Sequence, residues 1–225
     1  MGIKENLESI RKEIEGSAKK SGTKEVVLVG ISKTFGLDYI KEAIESGLTD
    51  IGENRLQEAE SKFPHISNVR KHFVGHLQSN KVSKSIELFD MIQSVNSIKL
   101  ARKISERSLE LRKTIPVLIQ ILTDEKKQFG VRQNELEGFL QEISGLKGIR
   151  IQGLMTIGPY FENPENSRPI FKKMKSLFDS IQKQKIPNIE MRYLSMGMSD
   201  DFKIAIEEGA NMVRIGRGIF GKREY

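Results

Sequence analysis

The sequence has no cysteine and no tryptophan, and its only histidines are His65, His72 and His76. Without cysteine there is no disulfide, no thiolate nucleophile and no Cys-ligated zinc, and three scattered imidazoles argue against a His-built metal site. No stretch approaches the ~20 continuous apolar residues of a membrane span. The first residues, Met1 to Arg11, are charged from Lys4 onward and lack the apolar core of a secretory signal. Gly2 follows Met1, but Asn6 stands where an N-myristoylation signal has Ser or Thr. These absences leave the cytoplasm as the expected compartment.

What is present is ordinary for a soluble globular chain: 225 residues, 37% hydrophobic and 30% charged. A length of 225 residues suits one domain with a sizeable core, and no linker, repeat or low-complexity segment divides it, so residues 1–225 read as a single domain. The net charge of +7 raises the question of nucleic acid. The basic residues, however, alternate with Glu along helical stretches (Lys4, Glu5, Glu8, Arg11, Lys12, Glu13), and no run interleaves aromatics with arginine. That pattern is a solvated face, and neither a nucleic-acid nor a membrane partner is expected.

Short apolar runs alternate with amphipathic stretches along the whole chain. The expected strands are Val26–Ile31, Asp50–Glu53, His72–Leu77, Met91–Val95, Pro116–Leu122, Ile149–Ile157, Met191–Met196 and Met212–Ile215. They are apolar at successive positions, as strands buried on both faces of a parallel sheet are. Helices are expected at Glu5–Lys20, Asp38–Ser46, Arg55–Lys62, Gln78–Ser85, Ile98–Arg112, Gln133–Ser144, Pro164–Lys185 and Ser199–Glu208. Gly47 and Gly209 stand where helices should end in a left-handed residue, and Ser199-Asp200-Asp201 offers an N-cap with acids in the first turn. An open doubly wound sheet also alternates β and α. Eight strands in this length favour closure into a (β/α)8 TIM-type barrel of class α/β, with the first helix as an extra.

Such barrels place their chemistry at the C-terminal ends of the strands. Lys33 follows the apolar run of strand one. A lysine held there loses hydration, which disfavours its charged form, and the neutral amine is the form that condenses with an aldehyde. Ser195, Gly197 and Ser199 lie between strand seven and the next helix, and Gly216, Arg217 and Gly218 follow strand eight. These small-residue loops suit a phosphate, although Asp200 and Asp201 argue somewhat against an anion nearby. Arg214, at the end of strand eight, needs a partner if buried: Glu53 across the mouth, or the ring of a bound cofactor. His76 is either a structural histidine or a pocket wall, and Asn54 either bonds a ligand or caps the helix opening at Arg55. Gly216-Arg217-Gly218-Ile219-Phe220-Gly221 matches the G-x-G-x-x-G fingerprint but has no room for the helix, strand and acid that a dinucleotide site requires.

At these positions the chain resembles the pyridoxal phosphate homeostasis protein family (YggS/PROSC). The matching stretches are VGISKTFG (29–36), DIGENRLQE (50–58), HFVGHLQSNK (72–81), GLMTIGP (153–159), LSMGMSDDF (194–202) and VRIGRGIFG (213–221). The resemblance implies a fold-type III barrel for pyridoxal 5'-phosphate (PLP), like the N-terminal domain of alanine racemase. It implies that Lys33 carries PLP as a Schiff base, and that Ser199 with the backbone of Gly216 and Arg217 holds the phosphate, assisted by Ser195 or Met198. Arg214 is implied to face the pyridine nitrogen, keeping it unprotonated. Arg217 stands where many relatives have a small hydroxyl residue, which puts a side-chain bond to phosphate from that position in doubt.

PLP chemistry on amino acids usually needs a second acid–base group opposite the lysine. Racemases of this fold take it from another domain. Here the chain ends at Tyr225, and Tyr39, Tyr160 and Tyr193 offer no obvious substitute, Tyr160 being nearest the mouth in sequence. The resemblance therefore implies intracellular PLP (vitamin B6) homeostasis without catalysis, with apo PLP-dependent enzymes as possible recipients. The alternatives are a PLP-dependent amino-acid racemase of the same fold, a PLP-free barrel aldolase using Lys33, and an RNA- or partner-binding module.

Overall fold

The structure is a computed structural model and describes residues 2–124 and 129–221. Eight parallel strands close into a barrel in chain order: β1 (Val27–Ile31), β2 (Asp50–Glu53), β3 (Arg70–Phe73), β4 (Met91–Val95), β5 (Ile115–Gln120), β6 (Ile149–Met155), β7 (Ile189–Ser195) and β8 (Met212–Ile215), with β8 returning to β1. The connecting helices are α2 (Leu37–Glu45), α3 (Leu56–Lys62), α4 (Val82–Leu88), α5 (Ile98–Glu110), α6 (Leu136–Ile143), α7 (Arg168–Gln184) and α8 (Phe202–Glu207); α1 (Ile3–Ser21) precedes the barrel and α9 (Arg217–Phe220) follows it.

Strand alternation sorts the side chains. One set faces the helices and forms a broad apolar layer that includes Ile51, Phe73, Ile92, Val117 and Leu194. The other set fills the barrel with Val29, Met91, Leu118, Met155, Tyr193 and Met212. The extra helix α1 buries Ile3, Leu7, Ile10 and Ile14, a three-to-four-residue spacing that makes one apolar stripe. That stripe packs on Phe202, Ile206, Val213, Ile219 and Phe220, and so braces β8 and the short elements around it. The helix stops at Gly22, whose φ of +72° is the left-handed conformation open to glycine.

Four expectations need correction. Strand β3 begins earlier and ends at Phe73, because Val74 and Leu77 are buried in the loop above the barrel and not in its ladder. The strands β5 and β6 are shorter than expected, with Ile121 in an isolated bridge to Val131. The helix expected from Ser199 starts at Phe202, because Asp201 accepts the Met198 N–H and leaves Ser199 and Asp200 in the turn before it. Downstream of β8 the chain adds α9, a single turn after Gly216, which the sequence patterning did not indicate. Gly47 and Gly209 adopt φ of +88° and +93°, as their positions after α2 and α8 require.

Candidate functional site

Lys33, Asn54, His76, Met198 and Arg214 come together around a cavity of about 530 Å³ at the C-terminal mouth. Its remaining walls are largely residues that sequence reasoning passed over: Ile31, Val74, Gln120, Phe129 and Ile157. The apolar ones give a flat ligand surface to lie against, while a few polar groups converge at its edges, which is the usual make-up of a small-molecule site.

Arg214 is 4% exposed, and its two terminal nitrogens donate to Ser195 Oγ and to the Thr156 carbonyl, each at 2.6 Å. Burial pushes its guanidinium down to about 10, with Asp201 working in the opposite direction, so it remains a cation at neutral pH. It does not pair with Glu53, one of the two arrangements expected. Glu53 is occupied by Ser32, the Asn54 N–H and Lys62. The reason is register: β7 and β8 are neighbours, so the inward-facing Ser195 reaches the Arg214 side chain first.

Beneath Arg214 runs a polar chain that the apolar strand pattern concealed. Ser195 Oγ donates to Gln93 Oε1 at 2.7 Å, Gln93 Nε2 donates to His72 Nδ1 at 3.0 Å, and His72 Nε2 donates to Asp50 Oδ1 at 2.8 Å. Each donor direction is forced by the next, because Arg214 can only donate and an ionised Asp50 can only accept. Burial drives His72 toward its neutral form, against the pull of Asp50. Burial alone would raise Asp50, but hydrogen bonds from His72 and Arg70 outweigh it and bring the carboxyl to about 2. Ser195 therefore lies under Arg214 instead of opening onto the cavity.

Lys33 is half-buried in the turn after β1. Next to it, Asn54 does not cap α3, whose N-cap residue is Arg55 with no side-chain bond. The Asn54 side chain instead faces the cavity with its Oδ1 buried and lacking a hydrogen-bond partner, an acceptor that a ligand can satisfy. His76 is exposed and stacks on Phe129 with ring centroids 3.6 Å apart. Partial burial lowers its pKa.

The loops after β7 and β8 meet above Arg214. Ser199 Oγ accepts the Gly218 N–H at 3.4 Å, and Arg217 pairs with Asp200 at 2.6 Å on the surface. The two acids that weighed against an anion are thereby accounted for: Asp200 faces Arg217, and Asp201 takes Met198 N–H and Ser167 Oγ. Small residues keep the loops close. Gly197 has φ +90°, and a Cβ there would sit 2.5 Å from the Ala205 Cβ; a Cβ on Gly218 would lie 2.9 Å from Ile215. Gly216 opens α9, and the Arg217 side chain points away toward Asp200, leaving only backbone at that position for a ligand.

With this geometry in place, comparison with known proteins decides the family. The model of the alanine racemase N-terminal domain family matches residues 3–224. A pyridoxal phosphate homeostasis protein of Aquifex aeolicus is 37% identical over 230 residues, covering 100% of both chains. This chain belongs to the pyridoxal phosphate homeostasis protein family. Among solved structures of the family's fold, PipY of Synechococcus elongatus, determined with PLP bound, superposes with a TM-score of 0.87 at 32% identity, covering 97% of this chain and 100% of that one. Alanine racemase of Clostridium difficile superposes with a TM-score of 0.73 at 18% identity and covers 98% of this chain but 57% of its own, a likeness of fold alone.

Proposed function

We propose that this chain binds PLP covalently through Lys33 and serves PLP homeostasis in the cytoplasm instead of catalysing a reaction. The observation that carries the reading is the placement of Lys33 and the buried cation Arg214 on one cavity of about 530 Å³, which Met198 also lines, one residue before the Ser199 that bonds Gly218. The residues suit the cofactor: an amine, a fixed cationic donor, the unsatisfied Asn54 acceptor, and loops in which a Cβ at Gly218 would be crowded.

Bound PLP supplies an aldehyde carbon. Lys33 would hold the cofactor there through its side-chain amine, with water given off as the link forms, so the link would be reversible by hydrolysis. Arg214, aimed by Ser195 and Thr156, would hold the ring-nitrogen edge of the cofactor. A cation there would keep that nitrogen unprotonated and weaken the cofactor as an electron sink. Ser199 and the backbone at Gly216 and Arg217, next to the cavity lining in the chain, would hold the phosphate, while Met198, His76 and Asn54 line the cavity itself. Ser195 contributes through Arg214.

The non-catalytic reading rests on the cavity lining. Among the described residues that line it, the titratable groups are Lys33, His76 and Arg214, and Tyr160 is 76% exposed outside it. An amino-acid racemase of the same fold, the second reading, would have to use exposed His76 opposite the lysine. Release of PLP to apo-enzymes would follow from the reversible link, and the dispersed surface charge suggests no role for nucleic acid. No helix among the described residues is long and apolar enough to cross a membrane. The test is a PLP titration followed by absorption, with L- and D-alanine then added. Expected are an imine band lost in Lys33→Ala and negligible racemisation. A colourless wild type that takes up no PLP, or rapid racemisation, would overturn the corresponding half of the proposal.

A further inference from the structure

The turn that carries Lys33 is gripped from both sides. On the N-terminal side, Ser32 is fully buried; its Oγ donates to Glu53 Oε2 at 3.2 Å, and its carbonyl accepts from Lys62 Nζ at 3.3 Å. On the C-terminal side, Thr34 N–H donates to Glu58 Oε2 at 2.8 Å. The same Lys62 ammonium reaches Glu58 Oε2 at 2.8 Å and Glu53 Oε2 at 3.4 Å. One partly buried cation thus ties together both carboxylates that hold the residues flanking Lys33. Its side chain is 12% exposed, so these acceptors replace much of its hydration.

Thr34 has φ of +70°, in the left-handed region that β-branched residues avoid. A threonine does not rest there without outside restraint, and the Glu58 carboxylate on its N–H is such a restraint. Glu58 and Lys62 are one helical turn apart on α3, so the helix presents them as a unit. A salt bridge that only docked α3 on the barrel would have no need to engage the backbone on both sides of a single side chain.

We infer that Lys62, Glu58 and Glu53 form a clamp that fixes the Lys33 turn, making them positioning residues for the attack of the Lys33 amine on an aldehyde. The clamp fixes the backbone from which the Lys33 side chain extends, so removing it slows capture of the aldehyde without removing the phosphate and ring contacts. This inference rests on the proposed role of Lys33.

The test compares full-length wild type with Glu58→Ala and Glu58→Gln in two measurements. The first is the rate at which borohydride traps PLP on Lys33, set against total PLP bound at equilibrium. The second, made without PLP, is hydrogen–deuterium exchange at the Thr34 amide. Glu58→Ala should slow trapping roughly tenfold, the scale of one charge-assisted hydrogen bond, change total binding by less than about threefold, and speed Thr34 exchange. Glu58→Gln, which keeps an acceptor oxygen, should recover most of both. Unchanged trapping, whether or not Thr34 exchange rises, overturns the clamp. If Glu58→Ala does not fold, Lys62→Met is read the same way, and failure of both to fold overturns the inference by making the cluster a requirement of folding. A wild type that traps no PLP on Lys33 would instead overturn the reading of Lys33 itself.

Discussion

Below the mouth, Arg214 is held by two bonds of 2.6 Å and backed by a buried polar chain that ends on Asp50, whereas the loops above it meet through a 3.4 Å contact from Gly218 N–H to Ser199 and an exposed Arg217–Asp200 pair. The contrast follows from burial. A guanidinium that is 4% exposed takes most of its partners from the protein, since little water reaches it. Backbone N–H groups at the surface can be satisfied by water when no ligand is present.

The largest effect that sharpens this contrast should come from Arg214→Leu. It leaves Ser195 Oγ and the Thr156 carbonyl without their donor, and unfolding by denaturant should show a loss of about 3 kcal/mol. Next comes the far end of the chain. The folded Asp50 carboxyl lies at about 2, below its unfolded value of ~3.9. Its stabilisation is therefore present above pH ~4 and lost as the pH falls through about 2, an effect of about 2 kcal/mol. Asp50→Asn should flatten that part of the stability–pH curve. A curve unchanged by the substitution would mean that the polar chain is not anchored there.

Smaller effects are expected in the loops. Ser199→Ala should change stability by about 0.5 kcal/mol yet weaken PLP binding about tenfold through the lost phosphate bond. Arg217→Ala removes only an exposed ion pair and should cost less than about 1 kcal/mol, with little change in affinity because only its backbone is assigned to the phosphate. If Arg217→Ala proved more damaging than Arg214→Leu, the division between buried floor and exposed rim would be wrong.

The barrel was readable because strands covered on both faces appear as unbroken apolar runs, such as Val27–Ile31 and Met91–Val95. The same signal misplaced the end of β3, since Val74 and Leu77 are apolar for covering the mouth and apolarity reports burial, not ladder pairing. Ser199-Asp200-Asp201 looked like a helix start because its residue types suit one; Arg217 from the next loop and the local Met198 N–H claimed the acids instead. Lys33, Asn54, His76, Met198 and Arg214, picked out by their position at strand ends, line one cavity. The Ser195–Gln93–His72–Asp50 chain was not picked out, because it joins four strands and depends on which side chains face inward at the same level. Lys62 and Glu58 were also passed over, as an i,i+4 pair on a helix ordinarily signifies a solvated face. Phe129 follows residues 125–128, a stretch outside the described residues, and no pattern marked it as a wall.

The central claim is that one particular amine among many lysines meets the aldehyde of PLP. It is tested most directly by loading the protein with PLP, reducing with borohydride, and locating the added mass by peptide sequencing. The label is expected on Lys33, in the segment joining β1 to α2. A label distributed over surface lysines, with Lys33 unmodified, would contradict it.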